Sequence, residues 1–424
     1  MTALSLALLL LVQASAPDTL TVSYDVRGLH VIQRVNRSTD IVAARLYMLG
    51  GTRQITDGTA GIDALWLDAT GYGTEHYPGD QARRAMGRTG SAVQIETDAD
   101  WSVFGFTGLA EDFDAAWDAL AQRMMKPTLS DQGIDRARNR LVTRAHTRYT
   151  NPDERIRVIA SQAMFPNHPY SLDPDGTEAS LRGITAQQVR AYAGEQLVTS
   201  RLLLVIVGHI ERAHAESLVA ATLGTLPQGG YEWTLPPPPP KLPARWLVEH
   251  RQIPTNYILC FFAGPPPTER GYWSFRVATA LLSAELDYSI RVQRSLSYAA
   301  YAEFIDRAVP LGGAYASTAK PDQVLPLMQD AVRVLQAYPL DNFVLSRFLD
   351  GYNFEYLVDN ATAADQADFL ARAELYLGGY QRGDEFMKRL RWVSPTDVMA
   401  AASLYMSKLQ YAYLGDTARM RGHW

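Results

Sequence analysis

Residues 229–246 read GGYEWTLPPPPPKLPARW, and this stretch decides how the chain divides. Five consecutive prolines, Pro236 to Pro240, have no backbone N–H to give to a helix or a central strand. Such a run predicts a stiff polyproline spacer that rises about 3 Å per residue. A proline-rich ligand for another domain is the rival reading. The flanks favour a spacer, because they echo each other. Residues 184–193 read ITAQQVRAYA and residues 393–402 read VSPTDVMAAA. Each is a capped helix start, with Thr185 or Ser394 at the N-cap. Beyond each lies an apolar strand ending in glycine, LLLVIVG at Gly208 and LQYAYLG at Gly415. Val398 stands 209 residues after Val189, and Gly415 stands 207 after Gly208. Two near-equal offsets in the same order indicate a duplicated unit of about 200 residues. The expected division is 17–228 and 247–424, joined by a linker at 229–246.

Bulk composition agrees. At roughly 100–200 residues per domain, a chain of 424 residues makes two domains. With 47% hydrophobic and 20% charged residues it can fill two cores. A net charge of −5 argues against nucleic acid as a partner, since phosphate binding needs a concentrated basic surface. One local exception is RARNRLVTRAHTR, where Arg136, Arg140, Arg144 and Arg148 form one helical stripe. It reads as a solvated face. The single cysteine, Cys260, excludes an internal disulfide and reads as a small core residue. At the amino terminus the apolar run Ala3–Val12 is too short to span a membrane and suits a signal peptide, residues 1–16, with export to the periplasm. No later segment reaches the roughly 18 apolar residues of a spanning helix, so no stable membrane insertion is expected.

Within each half, strands group as meanders and helices as pairs. The first half predicts strands near 20–25, 29–34, 41–49, 92–97, 101–107 and 201–208. The second predicts them near 246–251, 256–263, 298–306, 311–318 and 410–415. Helices fill the intervals, among them 60–70, 131–149, 153–164, 269–284, 341–358 and 362–376. This is an α+β class in which each half packs a largely antiparallel sheet against helices.

Taken in order, these landmarks resemble the insulinase/mitochondrial-processing-peptidase family, the pitrilysin-type zinc metallopeptidases. The pieces that carry the resemblance are LYMLGGTRQ (46–54), the Gly73-Thr74 pair closing AGIDALWLDATGYGT (60–74), and MMKPTLSDQGIDRARNRL (124–141). They continue with NHPYSLDPDGTEASLRGIT (167–185), VIVG (205–208), RVQRSLSYAAYAEF (291–304) and YLGD (413–416). The resemblance implies two homologous domains of the LuxS/processing-peptidase-like metallohydrolase fold. It also implies an HxxEH helix. Two histidines at i and i+4 share one face and can hold a zinc, while the glutamate at i+3 activates its water. A third ligand, a glutamate, follows about 76 residues on.

Counting back from Gly73-Thr74 puts Ala64 at the first histidine, Leu67 at the base and Asp68 at the second histidine. Counting 76 on from Asp68 gives Arg144 at the third ligand. All four positions are degenerate, so this chain is expected to hold neither metal nor cofactor. Ala64 and Leu67 are expected to widen the apolar side of the helix beside Trp66. Asp68 and Arg144 are expected to meet as an ion pair where zinc would have bridged them. Asp63, Glu75, His76, His209 and His214 show no recognised ligand spacing.

The second half keeps a pattern that the first has lost. The family has an arginine followed seven residues later by a tyrosine near the start of its second domain, and Arg291 and Tyr298 match it. The resemblance implies that this pair faces the zinc across a cleft and holds the peptide substrate. Ser295 departs from the family's usual glycine. In the two-subunit branch, one chain carries HxxEH and its partner may carry only the Arg/Tyr pair. This chain looks like the second kind, a non-catalytic subunit whose homologous partner supplies the zinc. The alternative is a proteolytically inactive binding or scaffold protein with a peptidase-like fold, whose function does not need Arg291 and Tyr298.

Overall fold

Strand β6, Leu202–Gly208 with sequence LLLVIVG, is buried along its whole length, as a run of β-branched and leucine residues should be at the centre of a covered sheet. The computed structural model describes residues 19–239, 241–420 and 422. The expected leader, residues 1–16, lies outside the described residues. The other strands of the first half are β1 Thr19–Val26, β2 Leu29–Asn36, β3 Ile41–Leu49, β4 Ala92–Thr97 and β5 Trp101–Leu109. Its helices are α1 Ile62–Ala69, α2 Gln81–Arg88, α3 Phe113–Met125, α4 Asp131–Thr150, α5 Pro152–Met164, α6 Glu178–Gly183, α7 Ala186–Gln196 and α8 Arg212–Ala221. The second half has β7 Arg245–His250, β8 Asn256–Ala263, β9 Ala299–Ile305, β10 Leu311–Thr318 and β11 Gln410–Gly415. Its helices are α9 Gly271–Leu286, α10 Pro321–Ala337, α11 Asn342–Asp359, α12 Ala363–Leu377, α13 Phe386–Leu390 and α14 Pro395–Tyr405.

The two sheets run β1-β2-β6-β3-β5-β4 and β7-β11-β8-β10-β9. With β1 set aside, the second order repeats the first strand for strand. Only β2–β6 and β7–β11 pair in parallel; every other neighbour is antiparallel. The helix caps repeat as well. Ser130 and Asp341, which cap α4 and α11, lie 211 apart, as do Asn151 and Thr362, which cap α5 and α12. The α+β class and the duplication therefore hold.

The halves are not self-contained, however. Each sheet is covered on one face by helices of its own half, forming one core around Trp66 and Trp117 and another around Phe275 and Leu282. The opposite faces are covered by exchange. Helix α12 of the second half lays Ala367, Leu370 and Ala371 on Ala43, Tyr47 and Val205 of the first sheet. Helix α5 of the first half lays Ile156, Ile159 and Ala160 on Leu259, Phe261 and Leu414 of the second sheet. Asp100, fully buried, ties the seam together. It accepts from Tyr170 (2.5 Å) and Tyr376 (3.2 Å) hydroxyls and from the Ala308 backbone N–H (3.1 Å).

The proline stretch also differs from expectation. Its described residues before Arg245 carry no helix or strand, but they are not a free spacer. The Arg53 guanidinium stacks over Trp233 at 4.5 Å and donates to Thr234 O at 2.6 Å. Trp233 Nε1 donates to Leu375 O, and Gln410 Nε2 to Pro243 O. The aromatic residues in GGYEWT pin the segment as a strap across both halves. It also ends early, since β7 starts at Arg245 and not after residue 246.

Candidate functional site

Helix α1 starts at Gly61, whose φ of +87° and lack of a Cβ let it sit against the Asp175 carbonyl; a side chain there would come within 2.8 Å of that oxygen. All eight residues of α1 are buried. Ala64 and Leu67 join the first core, and Trp66 meets the Tyr192 ring edge-on at 6.2 Å. A catalytic zinc needs three protein ligands. The motif positions offer one carboxylate, Asp68, and that carboxylate is paired with a guanidinium. These residues do not fit a zinc ion. Among the described residues no group of three or more His, Cys, Asp or Glu side chains is placed to hold a metal.

The guanidinium on Asp68 belongs to Arg140 and not to Arg144, which corrects the expected pair. The buried carboxylate takes the arginine one helical turn earlier on α4. Arg144 turns instead to Asp175, at 3.8 Å. Arg148 pairs with Asp173 and Asp175 and donates to Gly176 O at 2.7 Å, while Arg136 pairs with Asp80 at 3.6 Å. The arginine stripe is thus not a free solvated face. It fastens α4 to the end of α1 and to the 173–176 loop.

The other polar residues noted in the sequence do not converge. Glu75 pairs with Lys126, His76 with Asp118 and His214 with Asp114. Cys260 lies in the second core, where burial pushes its thiol up to about 12. Asp63, one residue before the motif, is fully enclosed and accepts from the Tyr192 hydroxyl at 2.9 Å. Burial pushes its carboxyl up from 3.8 to about 6, partly offset by that hydrogen bond. The folded chain therefore binds this proton more tightly than the unfolded chain between about pH 4 and 6. Its contribution to stability falls as pH rises through that window. Asp63→Asn should stabilise the fold by about 2 kcal/mol above pH 6 and hardly at all near pH 4. Urea unfolding at the two pH values checks the difference.

Arg291 and Tyr298 sit on a different structure. After α9 the chain makes a π-helical turn, Asp287–Val292, which sequence periodicity missed because the turn continues the helix with a different period. Arg291 is held by Asp287 at 3.0 Å, an i,i+4 pair visible in the sequence. The chain then reverses through Ser295, whose φ is +52°. The turn that suits glycine is kept, with serine in a left-handed conformation. Ser295→Gly should raise stability by about 1 kcal/mol, read by urea unfolding, because glycine takes that conformation without strain. The turn is braced on both sides. Leu296 N donates to Ile290 O at 3.0 Å, Ser297 Oγ to Ser317 O at 2.7 Å and Thr318 Oγ1 to Leu296 O at 2.6 Å. From this braced turn Tyr298 projects with 99% of its surface exposed, immediately before β9.

The family model described as Insulinase (Peptidase family M16) matches residues 30–173, and the model described as Peptidase M16 inactive domain matches residues 183–349. The chain belongs to peptidase family M16. This M16 chain is 21% identical over 183 residues to YmxG of Bacillus subtilis (strain 168), which is named a zinc protease; the match covers 43% of this chain and 45% of YmxG. It is 20% identical over 258 residues to mitochondrial-processing peptidase subunit beta of Blastocladiella emersonii, covering 61% and 55%. The matches span about half the length of these two M16 relatives. A solved protease from Helicobacter pylori shares the fold with a TM-score of 0.86 at 14% identity, over 94% of this chain and 99% of that one. The first M16 model ends, and the inactive-domain model begins, between α5 and α7, well before the proline strap. Among the described residues of this M16 chain no helix is long and apolar enough to cross a membrane.

Proposed function

We propose that this chain is a non-catalytic, substrate-binding subunit of a heterodimeric zinc metalloendopeptidase, completing the site of a homologous partner that bears HxxEH. The observation that carries this reading is Tyr298. Leaving a whole tyrosine ring in water forgoes the burial that makes aromatic side chains useful to a fold, yet the turn that presents it is braced by hydrogen bonds. A rigid turn with a free phenol suits a group offered to something outside the chain. The loss of every ligand position on α1 agrees with it.

In the partner, a zinc ion would supply the activated water for peptide hydrolysis. This chain's residues would bind and stabilise. The Tyr298 hydroxyl is a hydrogen-bond donor for the oxyanion that forms when a peptide carbonyl is attacked. The Arg291 guanidinium, steered by Asp287, has donors left over for substrate carbonyl oxygens.

The test is peptide hydrolysis by this chain alone, by an HxxEH relative from the same organism alone, and by the mixture. Hydrolysis only in the mixture supports the reading. Full activity from the partner alone counts against it. Silence in every combination favours an inactive scaffold.

A further inference from the structure

Helix α11 is the element whose surroundings do not match its sequence. It reads NFVLSRFLDGYNFEYLVD, apolar around much of its circumference, yet of its 18 residues only Leu345, Leu349 and Asn353 are buried. Such a helix is ordinarily enclosed. Phe343, Val344, Phe354, Leu357 and Val358 are all half exposed or more, and Tyr338 just before the helix joins them. Its first-half counterpart, α4, buries six residues and holds its outer face with paired arginines. Even the inner side of α11 is unfinished, for neither amide atom of the buried Asn353 has a hydrogen-bond partner.

Three observations say what covers this face. The first is area. Reckoned at about 200 Å² per whole aromatic side chain, the outward apolar residues expose on the order of 600 Å², the upper end of what a monomer leaves open. That is most of the roughly 800 Å² each partner gives to a standard interface. The second is charge. The helix and its cap carry four carboxylates, Asp341, Asp350, Glu355 and Asp359, against one cation, Arg347. A second copy docking symmetrically would set carboxylate against carboxylate, so the occupant is a different chain with a basic rim. The third is continuity. A groove of about 330 Å³ between α9, β9 and α11 is lined by Phe304, Phe348, Tyr352, Glu355 and Asp287. Asp287 is the carboxylate that holds Arg291. The groove therefore links α11 to the residue that holds Arg291, seven positions before Tyr298.

We infer that the outward face of α11 is the surface on which the HxxEH-bearing partner docks, through apolar side chains ringed by basic ones. The inference rests on the two-chain reading above. Phe354→Asp combined with Leu357→Asp tests it, because both residues are more than half exposed and neither belongs to the second core. Light scattering and titration calorimetry with the purified HxxEH chain are the readouts. The double variant should unfold in urea like wild type but bind the partner at least about 100-fold more weakly, as two central apolar anchors can produce. Tyr298→Phe should bind with unchanged affinity. Wild-type affinity in the double variant overturns the inference. So does a wild-type chain that forms no complex with the partner, or one that dimerises with itself through α11. A complex that forms without hydrolysing peptide overturns the shared-site reading instead, and the double variant still decides the docking surface.

Discussion

Tyr298→Phe should lower kcat of the two-chain peptidase by about 10²–10³-fold, the usual cost of removing one oxyanion donor. The prediction is sharp because the substitution changes little else. The ring stays, and the hydroxyl has no hydrogen-bond partner among the described residues to lose. Stability and partner affinity should not move, and KM should change by less than kcat, since the donor acts on the charge that develops during attack. Arg291→Ala should act differently. It removes a group that grips substrate in the ground state too, so KM should rise. Steady-state kinetics of the mixture at saturating partner separates the two. Unchanged kcat in Tyr298→Phe would remove the phenol from the chemistry and leave the scaffold reading as the better one.

Arg140→Ala should cost about 3 kcal/mol of folding stability, the low end for breaking a buried ion pair. Asp68 is 5% exposed, and its second oxygen, Oδ2, has no hydrogen-bond partner. Losing the guanidinium would leave a largely buried charge without its partner. The low end applies because the Arg140 side chain is itself 48% exposed, so some solvent reaches the gap. Replacing both partners, Asp68→Leu with Arg140→Met, should restore most of the loss, as apolar groups of similar volume do at buried pairs. Arg144→Ala is the control. Its side chain is 63% exposed and lies 3.8 Å from Asp175, so its removal should cost less than about 1 kcal/mol. Urea unfolding of the four proteins checks the series. Equal losses at 140 and 144 would mean that the Asp68 carboxylate is hydrated after all.

Much of the fold was legible in the sequence because its signals are local. The apolar runs and glycine endings of strands such as Ile41–Leu49 and Gln410–Gly415 mark these elements. The caps Thr185 and Ser394 locate their helices and also reveal the repeat. What escaped is non-local. Nothing in PDERIRVIASQAM says that its apolar side belongs to the other half's sheet, because periodicity gives a face but not its neighbour. The site divides the same way. That α1 carries no histidine and one carboxylate at each of Asp63 and Asp68 is read from residue types alone. The choice of Arg140 over Arg144 depends on how α1 crosses α4, and the exposure of Tyr298 depends on a π turn that no period announces.

The exchange of α5 and α12 makes each half depend on the other. Helix α5 roofs the sheet whose outermost strand, β9, begins one residue after Tyr298. Stripping away the first half would uncover Leu259, Phe261 and Leu414 and loosen the platform beneath the tyrosine. Chemistry can be deleted from α1 residue by residue, but the body around it cannot be discarded. The first half is the keel of the second.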